Sequence, residues 1–389
     1  MTRRPSDTRR PTLLRRRDIL AGAGALGLLS LAGCASRELS ASTDLGGNRD
    51  LSVLNWELYI DPDEDGAVGT ISRVQDELGL RVSYDESYED NIAAWNDLIV
   101  PTLGSGGTLP YDIITPTFWL AARMVERGWA EQVPIEIIPN HTNIDPAYLT
   151  QPWDRGARFH MPWQAGITGI AYDPALTGRP VTSIADLFDP AFAGRVGIIG
   201  EMRETVPFGM LLNGDDPSRP TEATASAGLE LFEEARASGQ IAQVTFGEFA
   251  DGLASGELWI AMAWSGDSVI LQADRPDIEF VIPDEGAVRW FDTMVIPKGS
   301  GNVAAAGAWM NYVYDPANAA RITAWVQYIS PVLGVRDELL ALGGDAAELA
   351  QNPILFPDDT TRRRLFTWGG LPVEVEDRLD DRFNALFPA

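Results

Sequence analysis

The stretch YDIITPTFWLAARMVERG, residues 111–128, contains the structural unit from which the fold of this chain is predicted. Residues 111–115 form a short apolar run typical of a strand, and residues 118–128 have the apolar periodicity of a helix. Gly128 is a natural end for that helix, because glycine readily adopts the left-handed conformation that often follows a last turn. The stretch therefore predicts one strand followed by one helix.

The same alternation recurs on both sides of this unit. Runs typical of strands lie at 51–56, 80–84, 167–173, 195–200, 258–264 and 278–283. Helical periodicity covers 67–79, 91–103 as far as Pro101, 224–239, 247–256 and 304–329, and the charged region from about 336 onward is also helical in pattern. Strands that alternate with helices indicate an α/β fold with largely parallel sheets.

The first 36 residues are typical of an export signal. Seven arginines precede an apolar stretch at 19–32 that is too short to span a bilayer permanently. Residues 16–20, RRDIL, fit the twin-arginine pattern, and residues 31–34, LAGC, resemble the bacterial lipoprotein cleavage box. We expect residues 1–33 to be a twin-arginine lipoprotein signal peptide, Cys34 to carry the lipid, and residues 34–48 to form a flexible tether.

The charge of the chain narrows the range of partners. It carries 56 acidic and 30 basic residues, a formal net charge of −26. Such a surface repels nucleic acid and anionic membranes and attracts small cations. The GAGALG at 22–27 matches a dinucleotide-binding pattern, but it lies within the export signal and no strand precedes it. We therefore expect neither nucleic acid nor a dinucleotide as a partner.

Indoles and carboxylates follow the predicted strands, and ligands of open α/β sheets bind beyond the carboxyl ends of strands. These strand-end residues are Trp56, Thr117, Trp119, Glu201, Glu204, Trp264, Trp290 and Asp292. Trp290 and Asp292 lie two apart in VRWFDTMVIP, residues 288–297, and on a strand they would share one face. Each residue alone also fits a simpler interpretation, as a core indole, a solvated acid or, for Glu201 and Glu204, a carboxylate in the first turn of a helix.

An indole beside a carboxylate is suited to an organic cation. A cation–π contact contributes on the order of 0.5–2 kcal/mol, and a carboxylate adds charge-assisted hydrogen bonds to an ammonium group. A linear diamine or triamine needs acids at more than one place along an aromatic slot. Asp292 at one place and the pair Glu201 and Glu204 at another could supply them.

Patterns of catalytic and metal sites are weak in this sequence. There is no P-loop and no G-x-S-x-G elbow, and neither His141 nor His160 has a second ligand nearby in sequence. Residues 61–66 begin like a calcium loop, but Ser72 stands at the twelfth position, where that loop needs a glutamate. We expect no catalytic residue, no cofactor and no metal.

Four motifs together resemble the spermidine/putrescine-binding proteins of bacterial polyamine ABC importers. NWELY at 55–59 is similar to the N-W-x-x-Y of that family, and YDIITPT at 111–117 to its Y-D-(apolar)-(apolar)-x-P-S/T. Gly256-Glu257 followed by AWSGD at 263–267 resembles the G-E…W-(S/N)-G segment, and Trp290, Asp292 and Ile296-Pro297 match W-x-D…I-P. The motifs occur in the family's order between about residues 51 and 335.

This resemblance implies a two-lobed, type II periplasmic-binding-protein fold, each lobe a mostly parallel sheet flanked by helices, with the ligand between the lobes. Lobe 1 would comprise 49–167 and 292–338, and lobe 2 would comprise 168–291 and 339–389. Asp292 would hold one amine, Glu201 and Glu204 another, and Thr117 would add a hydroxyl. The aromatic walls would be Trp56, Tyr59, Trp119, Trp264 and Trp290.

The chain also departs from the family pattern. Glu201 replaces a usual aspartate, Trp119 replaces a usual tyrosine, and the segment after Ile329, where a pocket tyrosine is frequent, reads Ser330-Pro331-Val332. These changes could alter the accepted chain length or shift the ligand to another organic amine.

We expect a monomeric, lipid-anchored binding protein on the outer face of the cytoplasmic membrane that captures a polyamine and delivers it to an ABC permease. One alternative is a receptor for another organic amine, an amino acid or a betaine, for which Arg203 is the candidate basic residue. A second is a secreted hydrolase that uses Glu201 and Glu204. A third is a structural surface lipoprotein.

Overall fold

The computed structural model describes residues 48–64 and 66–388, in which helices surround three β-sheets. The expected signal peptide and Cys34 lie outside the described residues. The strands are β1 Asp50–Trp56, β2 Arg81–Tyr88, β3 Ile113–Ile114, β4 Thr150–Gln151, β5 Asp154–Arg155, β6 Met161–Tyr172, β7 Val196–Ile199, β8 Ile241–Thr245, β9 Ile260–Trp264, β10 Glu279–Val281, β11 Ala287–Met294 and β12 Leu365–Phe366.

The helices are numbered separately. They are α1 Thr70–Leu78, α2 (the contiguous turns Asn91–Ala93, Ala94–Ile99 and Val100–Leu103), α3 Phe118–Glu126, α4 Pro146–Leu149, α5 Pro174–Thr177, α6 Met202–Leu212, α7 Glu222–Ala237, α8 Phe249–Ser255, α9 Ser265–Asp274, α10 Val303–Val313, α11 Pro316–Val326, α12 Val335–Leu342, α13 Gly344–Leu349, α14 Asp359–Arg362 and α15 Val373–Leu386. Within the described part of the chain, no helix has both the length and the apolar character needed to cross a bilayer.

The first sheet is parallel and has the order β2-β1-β3. Its β1 is buried at Leu51, Val53 and Leu54, as the apolar pattern of the segment predicts. Isolated bridges join the edge of this sheet to a later part of the chain, between Ile114 and Val295 and between Thr117 and Asp292. The chain therefore returns to the first sheet at about residue 292.

The second sheet has the order β12-β11-β6-β9-β7-β8, and β10 also pairs with β6. It is mixed, because β6 runs antiparallel to β9, β10 and β11 whereas β7 is parallel to both of its neighbours. Every residue of β6 is buried, which fits a central strand covered on both faces. The third sheet is the small antiparallel pair of β4 and β5.

Two predicted helices differ from the structure. Helix α2 does not break at Pro101 but continues to Leu103, and a wide π turn at Ala94–Ile99 precedes the proline. The long helical zone at 304–329 is two helices, α10 and α11, because Pro316 begins the second and the Asp315 side chain accepts a hydrogen bond from the Ala317 amide.

Candidate functional site

A cavity of about 270 Å³ lies between the carboxyl end of the first sheet and the β6–β11 side of the second. All nine predicted ligand-binding residues line it, namely Trp56, Tyr59, Thr117, Trp119, Glu201, Glu204, Trp264, Trp290 and Asp292. The structure thus brings together side chains from segments far apart in sequence. Whether a ligand touches each of them stays a prediction.

Asp292 forms one end of this cavity, and neutral donors hold it. Its carboxylate accepts hydrogen bonds from the Thr117 hydroxyl at 2.7 Å and from the Tyr59 phenol at 2.9 Å. The side chain is only 4 % exposed, and burial raises the pKa of Asp292 to about 7 although both hydrogen bonds oppose that shift. The pairing of β6 with β11 is irregular between Asp292 and Thr293, and such irregularities re-aim side chains near functional sites.

Asn91 orients Thr117 and was not predicted from the sequence. The Asn91 side-chain amide donates to the Thr117 hydroxyl oxygen at 2.9 Å, and its Oδ1 accepts from the Thr117 amide at 3.1 Å and from the Tyr88 phenol at 2.8 Å. The Thr117 hydroxyl therefore has its oxygen occupied by Asn91 and directs its proton to Asp292. No pattern in the sequence marks Asn91 for this role, because the contact joins α2 to a residue 26 positions later.

Glu204 is the second carboxylate in the cavity, and its donors are also neutral. The Trp264 indole Nε1 donates to its Oε2 at 2.7 Å, and the Thr168 hydroxyl donates to the same oxygen. Burial raises the pKa of Glu204 to about 8; the two hydrogen bonds lower it, and the charges of Glu201 and Asp292 raise it further. Glu204 and Asp292 thus line the same cavity as two buried acids.

The aromatic floor of the cavity is a continuous series of rings. The ring centroids of Trp264 and Trp290 lie 6.4 Å apart, those of Trp290 and Tyr328 5.4 Å, and those of Tyr328 and Tyr59 5.8 Å. Glycine is required beneath this floor, because a Cβ at Gly166 would collide with the Trp290 ring. These tilted and edge-on contacts fix the indole faces that border the cavity.

Tyr328 is a further cavity residue that the sequence did not identify. The resemblance directed attention to Pro331 as the replacement for a missing pocket tyrosine, but the structure places a tyrosine in the cavity at 328. The Tyr328 phenol donates to Asp267 at 2.8 Å. A Cβ at Gly266 would strike its ring, so the small residue at that position leaves room for the tyrosine. The cavity of this chain therefore contains a tyrosine, although none follows Ile329.

Trp56 forms the wall nearest the first sheet. Its indole Nε1 donates to the Thr115 carbonyl at 2.8 Å, and its ring lies 4.6 Å from the Tyr88 ring, centroid to centroid. The side chain is half-buried, so one part of the ring still borders the cavity. This end of β1 matches the prediction that strand ends carry the cavity residues.

The Glu201 end of the cavity differs from the arrangement that the resemblance implies. Glu201 caps α6, accepting from the Arg203 amide at 3.0 Å, and it also accepts from the Arg203 guanidinium at 3.1 Å. Burial raises the pKa of Glu201, while the Arg203 charge opposes the shift. The same guanidinium lies over the Trp119 ring, 3.8 Å from its centroid. The protein's own cation thus occupies the carboxylate and the indole face expected for a ligand amine.

Arg203 belongs to a buried ion network with the C-terminal helix α15. It is 2 % exposed and pairs with Glu376 at 3.0 Å and Asp380 at 2.6 Å as well as with Glu201. Burial by itself would lower the pKa of Arg203, but the three acids raise it above its ordinary value. Arg123 of α3 joins the network through Glu376 at 3.2 Å. The guanidinium is therefore a fixed, fully paired charge.

Asp61 and Asp63 of the acidic segment take part in local structure. Asp61 accepts from the Thr70 hydroxyl and Asp63 from the Gly69 amide and the Ser72 hydroxyl, each at 2.6 Å. These bonds stabilise the start of α1. Among the described residues, no group of three or more His, Cys, Asp or Glu side chains is placed to hold a metal ion.

Sequence comparison connects this geometry to known proteins. The profile of the family described as bacterial extracellular solute-binding protein matches residues 91–357. Spermidine/putrescine-binding periplasmic protein 1 of Haemophilus influenzae is 25 % identical over 323 residues, which are 83 % of this chain and 84 % of that protein. The putrescine-binding periplasmic protein PotF of Escherichia coli is 26 % identical over 91 % of this chain and 94 % of its own length.

Structural comparison confirms the predicted fold class. A putative spermidine/putrescine ABC transporter protein from Listeria monocytogenes has a TM-score of 0.75 at 24 % identity, and the match covers 87 % of this chain and 99 % of that one. The spermidine/putrescine substrate-binding protein PotD from Streptococcus pneumoniae has a TM-score of 0.72 at 22 % identity, with the same coverage. At these identities the likeness establishes the fold alone.

Proposed function

Because this chain belongs to the family of bacterial extracellular solute-binding proteins, we propose that it captures a polyamine outside the cytoplasm and delivers it to an ABC importer. Membership in a family of binding proteins agrees with the expectation that it is not an enzyme. The named relatives bind spermidine, putrescine or both, which supports an organic polycation as the ligand.

The observation that carries this proposal is the pair of buried acids in one aromatic cavity. Asp292 and Glu204 both accept hydrogen bonds from hydroxyl or indole donors, so a ligand ammonium would be the cation that neutralises them. The rings of Trp264, Trp290 and Tyr328 offer apolar and π surface for an alkyl chain between two ammonium groups. A diamine meets both requirements with a single unbranched molecule.

The arrangement of Arg203 argues against the zwitterionic alternatives. An amino acid or a betaine would need a basic group to receive its carboxylate, and Arg203 is the arginine that lines the cavity. Its guanidinium already pairs with Glu201, Glu376 and Asp380. Even with Arg123 counted, this network has more acids than cations, and the excess of negative charge repels a ligand carboxylate.

The hydrolase alternative is weakened by the same network. A carboxylate pair acting as acid and base needs both groups available to substrate and water. Glu201 is committed to capping α6 and to the ion pair with Arg203. This pairing and the binding role of the family both favour capture over catalysis.

We propose two lobes with the predicted boundaries, 49–167 with 292–338 and 168–291 with 339–389. The support is the bridging of residues 292–297 to the first sheet, after β11 has paired along the second. Strands β6 and β11 pass along this boundary and are the candidate hinge. Asp292 lies where the chain passes from lobe 2 back to lobe 1, so a ligand that pairs with it would contact both lobes.

We further propose that the protein acts as a monomer attached to the outer face of the membrane by a lipid on Cys34. The support is the sequence pattern around residues 16–34. Mass spectrometry of the membrane-extracted protein tests this proposal. A diacylglyceryl modification on Cys34 is expected, and loss of membrane association is expected in Cys34→Ser; recovery of an unmodified protein from the soluble fraction would contradict the anchor.

Isothermal titration calorimetry of the exported chain without its leader tests the function itself. Putrescine or spermidine should give saturable heat with a single site, whereas γ-aminobutyrate and glycine betaine should not. Thermal shift with the same four compounds provides a second measurement. Absence of heat and of any thermal shift with both amines would reject the polyamine assignment.

A further inference from the structure

A second cavity of about 340 Å³ lies next to the ligand cavity, on the side of α3 and the segment that leads into α15. Phe118, Trp119 and Trp368 line both cavities. Trp153, Glu126 and Arg123 also line the second cavity, so like the first it combines aromatic rings with acids and one arginine. If the two were joined, they would form a slot considerably longer than either alone.

Arg203 and Trp119 form the partition between the two cavities. The guanidinium lies 3.8 Å from the Trp119 ring centroid and borders the ligand cavity. On its other side it pairs with Glu376, which lines the second cavity. Trp368 supports the same carboxylate, donating from its indole at 2.8 Å. The partition is therefore held from both sides by buried groups.

The partition also occupies the groups that a second or third ligand amine would bind. Glu201 and the face of Trp119 are an acid and an indole placed for a cation, and the Arg203 guanidinium fills both. A ligand ammonium could bind there only by displacing a guanidinium that is bonded to three carboxylates. Displacement would leave that buried cation without its partners, which is strongly unfavourable.

We propose that Arg203 is a specificity-determining residue that closes one end of the ligand cavity, so that the protein accepts short diamines and discriminates against longer triamines. This inference rests on the proposed function, because it concerns which amines the polyamine site accepts. The site open to ligand is then the segment between Asp292 and Glu204, with Trp264 and Trp290 as its walls. A third amine would find Glu201 and the Trp119 face already occupied by the Arg203 guanidinium.

The first test is a ligand series on the unmodified protein by calorimetry. Putrescine and cadaverine should bind at least about tenfold more tightly than spermidine. Spermidine binding as tightly as putrescine would overturn the inference while leaving the polyamine function intact. If none of the three amines binds, it is the proposed function that fails.

The second test removes the partition. Arg203→Met keeps the apolar contact with Trp119 but not the charge, and Arg203→Met combined with Asp380→Asn keeps the charge of the network balanced. In either variant the ratio of spermidine to putrescine affinity should rise at least about tenfold. A loss of stability alone would weaken the binding of both ligands to the same extent. The ratio of the two affinities therefore distinguishes a change in specificity from a loss of folding.

Arg382→Met is the matched control, because Arg382 lies on the same helix α15 and pairs with Glu233 at 2.6 Å. It should leave the ratio unchanged. A folded Arg203 variant with the ratio of the unmodified protein would refute the role of the guanidinium. If neither Arg203 variant folds, the ligand series decides, since equal affinities for the diamine and the triamine contradict a closed slot.

Discussion

The two ends of the cavity each place a carboxylate beside aromatic rings, but they neutralise it differently. At one end Asp292 accepts hydrogen bonds from the hydroxyls of Tyr59 and Thr117 and has a raised pKa of about 7. At the other end Glu201 faces the Arg203 guanidinium, which lies on Trp119. Similar residue types therefore form an open cation site at one end and a filled one at the other.

This difference shows that residue type alone does not define a receptor for a cation. A buried carboxylate held by neutral donors gains strongly when an ammonium arrives, because the ammonium relieves the cost of keeping the charge away from water. A carboxylate that already has a guanidinium partner is stabilised little by an added ammonium. Five measurements can contradict or refine this distinction.

Asp292→Asn should weaken diamine binding at least about 30-fold, since losing one partner of a buried charge pair typically costs about 2–5 kcal/mol. Asparagine keeps the shape, but its single amide oxygen can accept from Tyr59 or from Thr117 and not from both, because these two donors reach different oxygens of Asp292. Thermal unfolding of the variant therefore accompanies the binding measurement and shows that it is folded. Calorimetry measures the change. Asp284→Asn is the control, because that side chain is 79 % exposed; a loss below about threefold in Asp292→Asn would mean that the ammonium binds elsewhere.

Diamine affinity should fall roughly 10- to 100-fold as the pH is lowered from 8.5 to 6.5. Burial raises the pKa of Asp292 to about 7 and of Glu204 to about 8, so both acids become protonated over this range and lose their attraction for an ammonium. Calorimetry in two buffers of different ionisation enthalpy should also detect proton release on binding. A flat profile would contradict the inferred protonation.

The raised pKa values of Asp292 and Glu204 also affect the stability of the ligand-free protein. Its stability should fall as the pH rises, whereas its affinity for a diamine should increase. Each acid has a higher pKa in the folded state than its ordinary value of 3.8 or 4.5. Their contribution to folding is therefore fully present below those ordinary values and is lost as the pH rises through about 7 and about 8. A diamine should offset this loss, so its thermal shift should be larger at pH 8.5 than at pH 6.5.

Trp264→Phe should weaken binding about tenfold. The substitution keeps an aromatic ring but removes the indole Nε1 that donates to Glu204 at 2.7 Å, and it offers a weaker face to a cation. The pH at which affinity falls should also move upward, because Glu204 loses a hydrogen bond that lowers its pKa. Trp259→Phe, outside the cavity, should leave both quantities unchanged.

The local sequence was enough to predict most of the architecture, because short-range patterns specify it. The apolar runs of β1 and β9 and the helical period of α3 indicated their elements directly. The π turn before Pro101 was not predicted, because helix periodicity does not distinguish a widened turn from an ordinary one. The antiparallel neighbours of β6 were also missed, since strand direction depends on how distant segments meet.

The sequence predicted which residues line the candidate site, but not which hydrogen-bond and ion-pair partners those residues have. The strand-end rule correctly placed Trp56 and Trp264, which end β1 and β9. Trp290 and Asp292 instead lie within β11, so the strand-end position expected for them was wrong. The sequence could not show that Asn91 orients Thr117, or that α15 brings Glu376 to Arg203, because those contacts join segments far apart in the chain. Partner identity decides which of two acids is available to a ligand, so this part required the structure.

Glu201→Gln should change diamine affinity by less than about threefold, the smallest change in affinity expected among these variants. The charge that it removes is already neutralised by Arg203, which keeps Glu376 and Asp380 as partners in the variant. Calorimetry beside Asp292→Asn gives the comparison, and thermal unfolding reports any loss from the weaker cap of α6. If instead Glu201→Gln abolished binding as severely as Asp292→Asn, a ligand ammonium would have to reach Glu201. The guanidinium would then have to move aside, and both ends of the cavity would be open to cations.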